Sequence, residues 1–262
     1  PSTGANSPMN DIEQFQGEVQ QNIQSLAQDK DLQSLSRIWL REVTAHKYHY
    51  NFTWMGRPII QLPTDVMMMQ DLIHRLRPTL IIETGIAHGG SAILHASLLT
   101  MIHGQPTKER PHVVSIDIDI RPRNRAAIDA HPLRSMISLI EGSSVEPEVV
   151  KQARETIRPD DVVLVILDSN HTTSHVLEEL QSYAPLVTPG SAIVAMDGIM
   201  RDLAALPDGA TEWAYDNPCE AVARFLESPP GLEFTIDRRY EPYAITHSPD
   251  GILMRTSGSA EA

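Results

Sequence analysis

Between residues 79 and 196 the chain repeats one pattern, a short apolar run followed by a segment of helical length. The apolar runs lie at 79–83, 112–116, 136–140, 162–167 and 192–196, and helix-length stretches separate them near 90–103, 122–130, 145–156 and 173–186. Strands that are apolar along their whole length, rather than at alternate positions, belong to a parallel sheet covered on both faces by its crossover helices. A helix near 218–227 follows, then runs at 232–236 and 251–255 that read as an antiparallel pair closing the sheet. The expected fold is α/β, with a mostly parallel, Rossmann-like sheet of seven strands.

The region ahead of this pattern is different. Residues 1–10 are rich in Pro, Ser, Gly and Asn and are expected to form a disordered tail, as are residues 257–262. Over 11–46 apolar residues recur every three or four positions (Ile12, Phe15, Val19, Ile23, Leu26, Leu32, Leu35, Ile38), which predicts two amphipathic helices. An aromatic-dense segment occupies 46–58. A further helix is expected over 64–76, capped by Thr64 and stopped by Pro78. The expected division is a tail at 1–10, helices and a lid segment at 11–63, the main domain at 64–256 and a tail at 257–262.

Composition narrows the partners. The net charge is −13, so broad contact with a nucleic-acid backbone or an anionic membrane is unfavourable, and a small neutral or cationic ligand is easier to accommodate. The longest apolar run, 162–167, is too short to span a bilayer. A lone cysteine, Cys219, suits a reducing compartment, and the opening residues have neither a basic nor an apolar leader segment; a cytoplasmic location is expected.

Chemistry in a parallel sheet concentrates at the carboxyl ends of its strands. The first strand runs into Glu83-Thr-Gly-Ile-Ala-His-Gly-Gly-Ser91. Glycines at Gly85, Gly89 and Gly90 permit a sharp turn and close approach of backbone N–H groups to a ligand, with Ser91 opening the next helix. The spacing is G-x-x-x-G-G and not the G-x-G-x-x-G of a dinucleotide pyrophosphate site. Glu83 would repel phosphate but suits the cationic methionine end of S-adenosylmethionine. The second strand ends in Asp117, whose carboxylate can accept both ribose hydroxyls; Asp119 is a second candidate. The third ends in Glu141-Gly-Ser-Ser144, where Ser143 can meet the adenine or simply cap a helix.

The fourth strand ends in Leu167-Asp-Ser-Asn-His171 and the fifth in Met196-Asp-Gly198. Asp168 and Asp197, on neighbouring strand ends, can hold a hard divalent cation such as magnesium. His171 can then take the proton of an alcohol whose pKa the cation lowers. Each residue also has a plain reading, Asp168 as a cofactor contact or the cap of a helix turn, Asp197 as a turn residue and His171 as a structural donor. His175, one helical turn on, reads as a packing or surface residue.

At these residues the chain resembles the cephalosporin hydroxylase family, which includes rhamnosyl and macrolide-sugar O-methyltransferases. The stretches that carry the resemblance are Tyr50-Asn-Phe-Thr-Trp-Met-Gly-Arg-Pro-Ile-Ile-Gln-Leu-Pro63, Ile82-Glu-Thr-Gly-Ile-Ala-His-Gly-Gly-Ser91, Leu167-Asp-Ser-Asn-His171 and Ala184-Pro-Leu-Val-Thr-Pro-Gly190. The resemblance implies a class I methyltransferase fold over 64–256, oligomeric assembly, and magnesium-dependent methyl transfer to a sugar hydroxyl. It implies that Asp168 is a metal ligand and His171 the general base. Of the family's acidic pair at the end of the fifth strand only Asp197 is present, because Met196 stands at the first position; Ser169 or water would have to compensate. In the aromatic segment, Tyr48, Tyr50, Trp54 and Arg57 are candidates to stack on a sugar ring and bond its hydroxyls, or alternatively to anchor the N-terminal arm. Two rivals remain, an NAD-dependent oxidoreductase on a similar fold and a non-catalytic protein that binds S-adenosylmethionine or sugar.

Overall fold

The structure, a computed structural model, describes residues 8–104, 110–206, 209–243 and 245–256. The tail expected at 257–262 lies outside these residues, as do residues 1–7; residues 8–10 already belong to the first helix. The N-terminal arm comprises α1 (Pro8–Gln28), α2 (Lys30–Ala45) and a small hairpin of β1 (Phe52–Trp54) and β2 (Arg57–Ile59). The hairpin turns at Met55-Gly56, both with positive φ (+45° and +84°), which matches the twist of the two strands.

The main body follows as α3 (Pro63–Leu76), β3 (Leu80–Thr84), α4 (Gly90–His103), β4 (His112–Asp117), α5 (Pro122–Asp129), β5 (Ile137–Glu141) and α6 (Pro147–Glu155). It continues through β6 (Val163–Leu167), α7 (Thr173–Tyr183), β7 (Ala192–Ala195), α8 (Met200–Leu203), α9 (Pro218–Leu226), β8 (Phe234–Ile236) and β9 (Ile252–Arg255). One detail departs from expectation. Thr64 is not the cap of α3: Leu62 holds that position and Pro63 takes the first helical turn, where its missing N–H costs nothing.

The large sheet has seven strands in the order β5-β4-β3-β6-β7-β9-β8. All neighbours from β5 to β7 are parallel, and β9 runs against both β7 and β8. The closing pair is thus interleaved, with the last strand of the chain inserted beside β7. Every residue of β3, β6 and β7 is buried, which is why these strands read as unbroken apolar runs. Two apolar layers fill the faces. One contains Ile81, Ile93, Leu99 and Leu164; the other contains Ile82, Val165, Leu180 and Phe225. The carboxyl ends of β3, β4, β6 and β7 therefore meet on one edge, fixed in position by core on both sides.

Candidate active site

Two adjoining cavities open on that edge. The larger, about 720 Å³, is lined by Gly85, Asp117, Ser143, Ser144, His171, His175, Glu212, Trp213 and Asp216, among others. The smaller, about 260 Å³, runs over the glycine loop to Gln61, His49, Tyr50, Asp168 and Asp197. Gly85, Asp117, Ser169 and His171 wall both, so they form one continuous cleft. The combined size falls in the range of small-molecule sites.

The glycine loop is set by close approach. Gly85 has φ +82°, and a Cβ there would lie 1.9 Å from the carbonyl oxygen of Asp168. A Cβ on Gly90 would lie 2.2 Å from the carbonyl oxygen of Pro58, so β2 rests directly on the loop. Asp117 ties the loop from the next strand: its Oδ2 accepts the backbone N–H groups of Ile86 (2.7 Å) and Ala87 (3.1 Å). Ser91 lines the small cavity and Ser143 the large one, whereas Gly89 faces Ile128 and lines neither.

Glu83 is placed differently from its expected role. It is buried on the α4 side of the sheet, where Oε2 lies 2.9 Å from Nδ1 of His95 and Oε1 accepts the hydroxyl of Ser115 at 2.5 Å. Strand alternation explains this: Glu83 and Thr84 point to opposite faces, and Glu83 faces the helix and not the cleft. Asp119 is also outside the cleft, exposed beside Arg121.

Asp168, His171 and Asp197 come together. One ligand atom from each lies within 4.8 Å of the others, a spacing a single divalent ion can bridge. Burial, and next the charge of Asp197, push the Asp168 carboxyl well above the usual carboxylate range. Two carboxylates held this close repel unless a cation or proton sits between them, so the donor set fits a divalent ion. Burial alone would raise Asp197 too, but His171 and His247 outweigh it and bring its carboxyl down to about 2. Asp197 has φ +59°, a left-handed conformation that costs an L-residue roughly 1–2 kcal/mol. Such strain is concentrated at functional positions.

Ser169, expected to make up for Met196, lines both cavities but its hydroxyl is already engaged. Its hydroxyl donates to the buried Glu179 at 2.7 Å and lies 3.2 Å from Nε2 of His175. Met196 is buried in the core. His175 is both a wall of the large cavity and a partner of Ser144 (3.0 Å), more than a packing residue.

The aromatic segment is largely turned inward. Trp54 donates its indole N–H to Ser97 at 2.9 Å, and Arg57 donates to the carbonyl of His88 and to Asn124. Tyr48 packs edge-on against Trp39 and Phe52. Of the four candidates, only Tyr50 reaches the cleft. Sequence reasoning did not find His49, Gln61 and Trp213 in the cleft, or His247 behind it. Isolated residues in irregular loops carry no periodic signal. Burial, with next the effect of His247, lowers His49 to about 4, so its ring is neutral at physiological pH.

The family model for rhamnosyl O-methyltransferase/CmcI matches residues 46–256. A rhamnosyl O-methyltransferase of Mycobacterium leprae is 31% identical over 217 residues, covering 80% of this chain and 88% of that protein. An apo structure of CmcI superposes with a TM-score of 0.57 at 20% identity, over 79% of this chain and 77% of that one. The MycE methyltransferase of mycinamycin biosynthesis, solved with Mg and S-adenosylhomocysteine, superposes with a TM-score of 0.51 at 15% identity, over 85% of this chain and 56% of that one. The chain belongs to the rhamnosyl O-methyltransferase/CmcI family and has its class I methyltransferase fold.

Proposed function

We propose that this S-adenosylmethionine-dependent O-methyltransferase acts on a glycosyl hydroxyl of a polysaccharide, glycolipid or glycosylated natural product. The observation that carries the reading is the lining of the cleft. Asp117, Glu212 and Asp216 wall the large cavity and Asp117, Asp168 and Asp197 the small one, with no lysine or arginine among the described lining residues. A sulfonium cation is favoured there and the pyrophosphate of NAD is not. In this reading Ser143 and Asp117 would meet adenosine, and Gly85, Gly90 and Ser91 would let the methionine end pass.

Asp168 and Asp197 would hold a divalent ion, which when bound supplies Lewis acidity that makes an alcohol easier to deprotonate. The acceptor oxygen attacks the methyl carbon; the C–O bond forms as the C–S bond breaks, and the electron pair leaves with sulfur as S-adenosylhomocysteine. His171 takes the hydroxyl proton. Its Nε2 lies 3.2 Å from Oδ2 of Asp197, so the imidazolium formed is stabilised by a carboxylate already ionised. Tyr50, His49 and Gln61 are the walls available to the acceptor.

Oligomerisation through the N-terminal arm is part of the proposal. The side chains of Ile12, Phe15, Leu35 and Ile38 are left exposed on α1 and α2 by the described residues, an apolar surface that a second copy could cover. No described helix is long and apolar enough to cross a membrane. The single cysteine is compatible with a reducing, cytoplasmic setting.

The test is transfer of isotopically labelled methyl from S-adenosylmethionine to a panel of rhamnosides and other glycosides. The account expects label on one sugar oxygen and its loss in His171→Ala. Binding of S-adenosylhomocysteine without transfer to any glycoside would leave a binding protein. Binding of NAD in its place would overturn the reading.

A further inference from the structure

Asp197 is gripped from two sides. His171 approaches Oδ2 from the cleft, and Nδ1 of His247 lies 3.4 Å from Oδ1. The two imidazoles differ in access. His171 walls both cavities, whereas His247 is buried and lines neither. His247 therefore cannot touch acceptor or cofactor, and whatever it does passes through Asp197.

The surrounding contacts show how firmly this pair is built. His247 lies in the loop between β8 and β9, and that loop wraps the turn after β7. Its backbone carbonyl accepts the N–H of Ile199 at 2.9 Å, and Ser248 donates its hydroxyl to the sulfur of Met196. Gly198 and Gly251 have no room for a side chain, since a Cβ would meet Pro249 O at 2.9 Å and Ala195 O at 2.1 Å respectively. From the other side Asp65, buried in the first turn of α3, accepts the backbone N–H of His247 at 2.9 Å. The ring of His49 packs edge-on against His247 with centroids 4.9 Å apart. Asp65, His247 and Asp197 thus form a chain from α3 to the cleft, and it ends on a residue held in a strained left-handed turn.

We propose that His247, seated by Asp65, is a positioning residue that fixes the orientation of Asp197 as a metal ligand. The inference rests on the metal reading given above. A ligand carboxylate with one oxygen bonded from behind presents the other in a fixed direction, and loss of such a partner commonly weakens metal binding 10–100-fold. At this site the partner has unusual weight, because Met196 offers no second carboxylate beside Asp197.

The test uses Mn²⁺ alone, titrated into the full chain by calorimetry, for the wild type, His247→Asn and His247→Gln. The Asn amide places an N–H near the position of Nδ1, whereas the Gln amide places it near Nε2. His247→Asn is expected to keep the Mn²⁺ Kd within about threefold of wild type, and His247→Gln to raise it roughly 10-fold or more. S-adenosylhomocysteine should bind both variants as it binds wild type, which also reports that they are folded. Equal Mn²⁺ affinity in the two variants, whether both strong or both weak, would overturn the role. A wild type that binds no Mn²⁺ would instead remove the metal reading, and this role with it.

Discussion

Replacing Gly85 with alanine tests the central geometric claim, that the glycine loop and the end of β6 are packed backbone against backbone. The residue has φ +82°, and the new Cβ would stand 1.9 Å from the carbonyl oxygen of Asp168 and 2.5 Å from its carbonyl carbon. The left-handed conformation costs an alanine about 1–2 kcal/mol, and forcing extra volume into a packed site costs roughly 1–3 kcal/mol more. For a domain of this size that corresponds to a fall in melting temperature of roughly 4–20 °C. The displaced atoms belong to Asp168, so affinity for S-adenosylhomocysteine and for Mn²⁺ should fall together with stability. Gly190→Ala is the control. Gly190 has φ +86° but open space around the Cβ position, at the opposite end of β7. It should show only the conformational cost of about 1–2 kcal/mol, with ligand affinities unchanged. Differential scanning calorimetry and ligand titration on both variants decide the matter. A Gly85→Ala protein as stable as Gly190→Ala, with unaltered affinities, would refute the reasoning.

Other expectations follow from single contacts. Gly90→Ala carries no left-handed penalty, but its Cβ would strike the carbonyl of Pro58. It should lift the β1–β2 hairpin at a cost of about 1–3 kcal/mol, visible as a lower melting temperature; an unshifted melt would contradict the docking of β2 on the loop. Asp161 is bound by Arg110 at 2.7 and 2.8 Å and by Thr79 at 2.9 Å. Burial raises its pKa, but the bonds from Arg110, Arg158 and Thr79 outweigh that and hold it below the ordinary value. A carboxylate depressed in the folded state contributes stability above its unfolded pKa of about 4 and loses it as the pH falls through the folded value. Asp161→Ala should therefore cost about 3 kcal/mol at pH 7 and flatten the acid limb of the melting curve. An acid limb as steep as that of wild type would argue against the pair.

What the sequence made legible follows from burial. In a sheet covered on both faces the strands of the centre are apolar throughout, so β3, β6 and β7 stand out in one dimension, and their last residues name the functional edge. Asp117, at the end of β4, and Asp168, His171 and Asp197, just past β6 and β7, were singled out by such strand ends, and all four line the cleft. The order of the last two strands was not legible, because nothing local distinguishes β9 beside β7 from β9 at the edge. Glu83 was misread for a related reason. Its position at a strand end was seen, but its direction depends on strand parity and on His95, the one polar side chain among the buried residues of helix α4, whose burial demands a partner. For Trp54 and Arg57 the sequence left ligand contact and anchoring of the arm open; their polar ends are taken by Ser97, His88 and Asn124, residues of distant segments, in keeping with anchoring. His247 joins the site across the sheet from a loop some fifty residues after Asp197, a pairing that only the fold creates.

Calorimetric titration of S-adenosylhomocysteine into the purified protein, with Asp117→Ala beside it, tests the account most directly. Oδ2 of Asp117 holds the loop at Ile86 and Ala87, and the residue walls both cavities. The account predicts micromolar binding to wild type and at least a tenfold loss, about 1.4 kcal/mol, in the variant. No binding by the wild type, or equal binding by the two proteins, would contradict it.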